Sequence, residues 1–141
     1  MTDNDGFSEA SSFPSTTDQV AKADEFLETL LRRAGLSEDA IANLAIAVTE
    51  LVNNAIKHGN KLQKDKNFTV SVVYTPEKVE ITVADEGEGF DPNEVPDPLA
   101  EENLMKEIGR GIFILNSLID EVRFKFPPEG GTMVTITKNL E

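Results

Sequence analysis

The sequence predicts an α+β fold, a two-layer α/β sandwich with helices on one face of a mixed, mainly antiparallel sheet. Three observations predict it. First, several runs alternate apolar and polar residues with period two: Val79, Ile81, Val83 and Asp85 share a face against Glu80 and Thr82, Val122, Phe124 and Phe126 against Arg123 and Lys125, and Thr132, Val134 and Ile136 against Thr135 and Thr137. Second, two N-terminal segments carry apolar residues at helical spacing. Third, the strand candidates are joined by short turns, Thr75-Pro76-Glu77 and Pro127 to Gly131. Strands of this kind bury one face under helices and leave the other to water.

Taken in order, residues 1–15 mix Ser, Asp and Gly with two Phe, and read as a frayed arm or a weak edge strand. Thr16/Thr17 offer a cap for a helix through Val20, Phe26, Leu27, Leu30 and Leu31 to Ala34-Gly35. Ser37 with Glu38 and Asp39 opens a second helix, cap first and acids in the first turn, which runs to about His58 and stops at Gly59-Asn60. A polar loop, 61–67, leads into a hairpin of Phe68–Tyr74 and Lys78–Asp85. Glu86–Asn93 is a Gly-rich loop, and Asp97–Glu107 is a short helix or a mobile segment. Arg110/Gly111 begins a third helix to Ile119, and Val122–Phe126 and Thr132–Thr137 close the sheet. The division is an arm at 1–15 and one domain at 16–141.

Composition narrows the chemistry. The 141 residues hold no Cys and one His, which excludes disulfides, thiol catalysis and Cys/His zinc sites. The formal charge of −13 argues against nucleic acid, since phosphate contacts need a patch of Lys and Arg. No apolar run reaches the roughly 20 residues of a membrane span, and Met1–Ala10 is too polar for a signal peptide, so a cytoplasmic location follows by default. The charge is uneven. Residues 1–30 hold seven acids against one base and residues 91–108 six against one, whereas the remainder is nearly neutral.

Four short elements carry candidate chemistry. On the second helix, Ile41, Leu44, Ala45, Val48, Leu51, Val52, Ala55 and Ile56 form the apolar face, with Asn43, Ala47, Glu50, Asn53, Asn54, Lys57 and His58 opposite. A polar face is usually only solvated. Two adjacent Asn are nevertheless a poor choice for a helix interior, and Glu50 and Asn54 at i, i+4 place a carboxylate beside an amide oxygen, a set that suits Mg²⁺ held mainly by phosphates. Asp85 ends a strand on its apolar face, where a carboxylate needs a partner such as a ligand amino group. Gly87 and Gly89 then let backbone approach a ligand, although Asp-x-Gly-x-Gly alone is also a plain acidic turn. Gly109-Arg110-Gly111 opens a helix, and free N–H groups with the helix dipole favour phosphate there; a tight turn with a surface Arg is the competing reading. Thr132, after Gly130-Gly131, shares the face of Asp85, so its hydroxyl points to the same pocket. The chain lacks both the P-loop and the Rossmann glycine pattern.

The order of these elements is more specific than any one of them. Glu50-Leu-Val-Asn-Asn54-Ala-Ile-Lys-His-Gly, Asp85-Glu-Gly-Glu-Gly89, Gly109-Arg-Gly111 and Gly130-Gly-Thr132 resemble the N, G1, G2 and G3 boxes of the GHKL ATPase/kinase superfamily over about residues 16–138. Asn-Ala-Ile-x-His-Gly, Asp91-Pro92 and Gly-Arg-Gly-Ile-Phe-Ile make the chain most similar to the anti-sigma-factor serine kinases of the RsbW and SpoIIAB type.

The resemblance implies a Bergerat-type ATP-binding fold, with ATP and Mg²⁺ as cofactors. Asn54 would bind Mg²⁺, and Glu50 would be the general base. Asp85 would hold the adenine amino group, with Gly87 and Gly89 beside the ring and Thr132 assisting. Gly109, Arg110 and Gly111 would hold phosphates, Lys57 would add a basic group, and residues 91–108 would be the ATP lid. The implied partners are an anti-anti-sigma protein with a STAS domain, phosphorylated on serine, a sigma factor, and a second copy in a homodimer. Two other readings stand beside this one: a nucleotide-binding switch without kinase turnover, or a partner-switching kinase whose target is not a sigma factor. The catalytic domain of a sensor histidine kinase is disfavoured, because no upstream dimerisation helix with a His is present. An acidic lid over an anionic nucleotide is expected to be mobile without ligand, and to offer a surface to a basic partner.

Overall fold

The computed structural model describes residues 6–59, 65–86, 119–128 and 130–140, with the backbone alone at 58 and 59. Five strands form one sheet: β1 Phe7–Pro14, β2 Asn67–Thr75, β3 Lys78–Asp85, β4 Glu121–Lys125 and β5 Met133–Asn139. Their order is β1-β2-β3-β5-β4, and each of the four pairings is antiparallel. Two helices, α1 Gln19–Arg33 and α2 Glu38–Asn54, accompany the sheet, and a π-helical turn, Ala55–Gly59, follows α2 directly.

The predicted α+β sandwich is therefore the observed architecture. Its core is the layer between sheet and helices: Phe68, Val70 and Val72 of β2, Val79, Ile81 and Val83 of β3, and Val134 and Ile136 of β5 meet Ala23, Leu27 and Leu31 of α1 and Ile41, Leu44, Val48, Leu51 and Val52 of α2. Full burial of side chains of this size contributes about 1.5–3 kcal/mol each before entropy is counted. The β2–β3 hairpin forms because alternation gives it one face to bury, with Thr75 Oγ1 accepting the N–H of Lys78 across the turn at 3.2 Å.

Residues 7–14 resolve the open choice at the N-terminus in favour of an edge strand. Phe13 anchors it, stacking on Phe68 with ring centroids 5.3 Å apart and meeting Phe26 edge-on at 6.0 Å. Arg33 from α1 lies 4.4 Å over the Phe7 ring and pairs with Glu9 at 3.2 Å, tying the strand to the helix layer.

Four expectations are corrected. Helix α1 begins at Gln19 rather than after Thr16/Thr17: Thr16 Oγ1 donates to the Asp18 carboxylate, and Asp18, at the cap position, has helical backbone angles and makes no side-chain cap bond. Ala47 belongs to the core and not to the polar face of α2, being wholly buried. The closing strands are shifted, with Phe126 just past β4 and Thr132 just before β5. The outer sheet face is not uniformly wet, since Thr137 is only 5% exposed beside Glu80. Neighbouring side chains cover it: in register, Thr137 lies between Glu80 and Glu121, and Arg123 reaches over to Glu80 at 2.6 Å.

Candidate functional site

Helix α2 is fixed at its start by Ser37, whose Oγ accepts the N–H of Ala40 at 3.1 Å, and by Glu38 and Asp39 in the first turn. Such a cap contributes about 1 kcal/mol. Its other end carries Glu50, Asn53 and Asn54, all half-buried. The helix was expected to run on to His58. Instead it gives way after Asn54 to the π turn, in which Ala55 and Ile56 are buried and which packs against β3. Single π turns of this kind are frequent at functional sites. Lys57 within it is exposed.

The side-chain amide nitrogen of Asn54 is buried, with no hydrogen-bond partner among the described residues. Ala47 explains its burial. Seven residues make nearly two full turns, so Ala47 and Asn54 lie within about 20° of each other around the helix. The edge of the buried arc runs along that line. A buried amide without a partner costs about 1–3 kcal/mol. Among the described residues no acceptor offsets that cost, which makes the Asn54 amide a candidate for contact with a ligand.

Strand β3 passes beside this helix end and finishes at Asp85. Asp85 lies opposite Thr132, one position beyond the Ala84↔Met133 pair. Its N–H donates to the Thr132 carbonyl at 3.0 Å, and its own Oδ1, in place of a strand carbonyl, accepts the Thr132 N–H at 3.1 Å. Thr132 was expected to contribute a hydroxyl; the described contact comes from its backbone. Gly131 makes the approach feasible. Its φ is +87°, and a β-carbon there would sit 2.4 Å from the Asp85 carbonyl oxygen. Next along the chain, Glu86 Oε1 accepts the N–H of Asn67 at 2.7 Å, so the end of β3 is held on its other side as well.

The structure thus brings together Glu50 and Asn54 at one helix end, and separately Asp85 and Thr132 at one sheet end. Gly87, Gly89, Gly109, Arg110 and Gly111, the helix expected from Arg110, and the lid expected at 91–108 lie outside the described residues. Among the described residues no three carboxylate or imidazole groups converge on a metal site. Mg²⁺ bound chiefly through nucleotide phosphates needs only one or two protein oxygens. Sequence reasoning placed Gly131 only within the Gly130-Gly131-Thr132 element, without its close approach to Asp85, and gave no part to Glu86 or the π turn. Gly131 had a signal in the Gly-Gly pair before a strand; an acid within an acidic loop and a change of helical pitch had none.

A half-buried carboxylate and a buried amide without a partner among the described residues lie at the end of α2, and a further carboxylate ends β3, the strand against which the following π turn packs. Residues 13–138 match the histidine kinase-like ATPase domain, which sets the class of protein. The serine-protein kinase RsbW of Listeria monocytogenes serovar 1/2a is 33% identical over 133 residues, covering 90% of this chain and 83% of the relative. The serine-protein kinase RsbW of Staphylococcus aureus strain JH9 is 30% identical over 137 residues, covering 91% and 84%. The crystal structure of the RsbU and RsbW domains of a Mycobacterium tuberculosis protein has the same fold, with a TM-score of 0.65 at 20% identity over 95% of this chain and 32% of that one. The chain belongs to the histidine kinase-like ATPase family and, within it, to the ATP-dependent serine kinases of the RsbW kind. No helix among the described residues is long and apolar enough to cross a membrane.

Proposed function

We propose that this chain is an anti-sigma-factor kinase that uses Mg-ATP to phosphorylate a serine on an anti-anti-sigma partner with a STAS domain, and that sequesters a sigma factor when that partner is unavailable. Residues 16–141 are its kinase domain, 91–108 its ATP lid, and a cytoplasmic homodimer its working form. The observation that carries this reading is the orphaned Asn54 amide one helical turn after Glu50. An amide nitrogen that lacks a partner is matched by a phosphate oxygen, and the oxygen of the same amide suits Mg²⁺. Mg²⁺ held there would neutralise charge on the phosphates.

The chain's own residues take the other roles. Glu50 accepts the proton of the serine hydroxyl as its oxygen bonds to the terminal phosphorus, while the bond from that phosphorus to the bridging oxygen breaks and ADP leaves. Asp85 accepts a hydrogen bond from the adenine amino group, with Thr132, Gly87 and Gly89 around the ring. Gly109, Arg110 and Gly111 hold the phosphates, and Lys57 adds positive charge near them. Positioning and charge neutralisation account for most of the rate in such transfers. The deciding experiment incubates the protein with Mg-ATP and its cognate STAS partner and maps the product by mass spectrometry. Phosphoserine on the partner is expected; a verified partner that stays unmodified overturns the reading.

A further inference from the structure

We propose that Glu86 is a positioning residue for Asp85, holding the base-reading carboxylate in place by clamping the end of β3 to the start of β2. The proposal rests on the reading of Asp85 as the group that meets the adenine amino group. The observation behind it is a pattern at the last rungs of the sheet. On the β5 side, the Thr132 N–H goes to the side chain of Asp85 at 3.1 Å and not to a strand carbonyl. On the β2 side, one position past the Phe68↔Asp85 pair, the Asn67 N–H goes to the side chain of Glu86 at 2.7 Å. Two successive carboxylates thus each take a backbone N–H from a different neighbouring strand.

The consequence is mechanical. Asp85 is bonded to β5 through its own N–H and its carboxylate, so it follows any movement of β5. Glu86 is bonded to β2, which is itself held in the core by Phe68. With both bonds made, β3 ends between two fixed strands and the Asp85 carboxylate has one setting. Without the Glu86 bond, the chain leaving β3 is held on the β5 side and loses its side-chain tie to β2. Hydrogen bonds from N–H groups to ionised acceptors are short and strong, so an exposed Glu86 is still an effective clamp at 2.7 Å.

The test compares wild type, Glu86→Ala, Glu86→Gln and Asp85→Asn in the full chain. Dissociation constants are measured for Mg-ATP and for Mg-GTP, whose ring carries a carbonyl where adenine has its amino group, together with amide exchange at Thr132 and Tm. E86A is expected to weaken ATP about five- to tenfold while leaving GTP unchanged, as for one misaligned hydrogen bond. It should also speed exchange at Thr132. E86Q keeps a carbonyl acceptor and is expected to stay within about twofold of wild type. A purely structural Glu86 would lower Tm without moving the ATP-to-GTP ratio, and that result overturns the proposal. If D85N loses the ratio while E86A keeps it, the positioning role alone fails. If D85N keeps it, the adenine reading fails and the proposal with it. Should E86A not fold, Glu86→Asp, whose shorter arm does not span the same distance, is read in the same way.

Discussion

The N–H of Thr132 donates to Asp85 Oδ1 at 3.1 Å while the N–H of Asp85 donates back to the Thr132 carbonyl at 3.0 Å. A side chain thereby replaces a strand carbonyl in the final rung between β3 and β5, and the carboxylate is immobilised by the sheet. The residue that allows it is Gly131, which is buried and whose backbone closes on the Asp85 carbonyl.

Gly131→Ala tests that approach. The added methyl group meets backbone at 2.4 Å, and a φ of +87° is strained for any L side chain. Relief requires the β5 start to move away from Asp85. A loss of about 2–4 kcal/mol in urea unfolding is expected, combining a left-handed backbone cost with overpacking. Weaker ATP binding should accompany it, whereas unaltered stability and affinity would show that the contact is not made in solution.

Asn54→Ala is expected to separate stability from function. Removing the orphaned amide relieves an unsatisfied buried group, and Ala is the better helix former by about 0.5 kcal/mol. The variant should therefore unfold at the same or a higher urea concentration than wild type. Mg-dependent ATP binding should be lost, as read by calorimetry with and without Mg²⁺. A destabilised variant that binds ATP normally would mean that Asn54 serves the fold.

The physical basis of legibility differs from element to element. Strands β2 and β3 were readable because alternation follows from burying one face, and Val79, Ile81 and Val83 leave no second way to do it. Ser37 was readable because a cap with acids behind it has one use. Thr16 and Thr17 were read as the cap of α1, whereas Asp18 takes the cap position without a side-chain cap bond, which local pattern does not show. Ala47 was misplaced because a methyl side chain suits either face, so its burial is decided by what packs there. The pairing of Glu50 with Asn54 was legible as helical spacing, and Asp85 with Thr132 as matched strand phase. The π turn after Asn54 follows from tertiary packing of Ala55 and Ile56, which no local periodicity encodes.

Glu50→Gln removes the proposed base while keeping shape and most polarity. Loss of a general base costs about 10²–10⁴-fold in the transfer rate. ATP affinity should stay within about threefold of wild type, because uniform binding does not depend on proton transfer. Single-turnover phosphorylation of the partner, with ATP binding measured in parallel, distinguishes the two effects. Transfer at the wild-type rate would remove Glu50 from the mechanism.

On α1, Asp24 and Glu28 lie one turn apart, and each carboxyl shifts the titration of the other. Burial, then a hydrogen bond with Glu28 and its charge, push the Asp24 carboxyl up to about 6, while that same bond holds Glu28 below the usual carboxylate range. Arg32 faces both, favouring the charged forms, and continues to Glu38 at 3.2 Å. An acid whose pKa is raised on folding loses its proton first in the unfolded chain. Its cost to stability is therefore absent below the unfolded value of 3.8, grows between there and about 6, and is complete above it. Because Glu28 gains part of what Asp24 loses, the cost for the pair after solvent screening is about 1 kcal/mol. Asp24→Asn is neutral at every pH and still donates to Glu28. It should raise Tm by a few degrees at pH 7.5, with the gain vanishing near pH 4. A gain of equal size at both pH values would trace to helix propensity or packing, and would remove the raised Asp24 carboxyl as its cause.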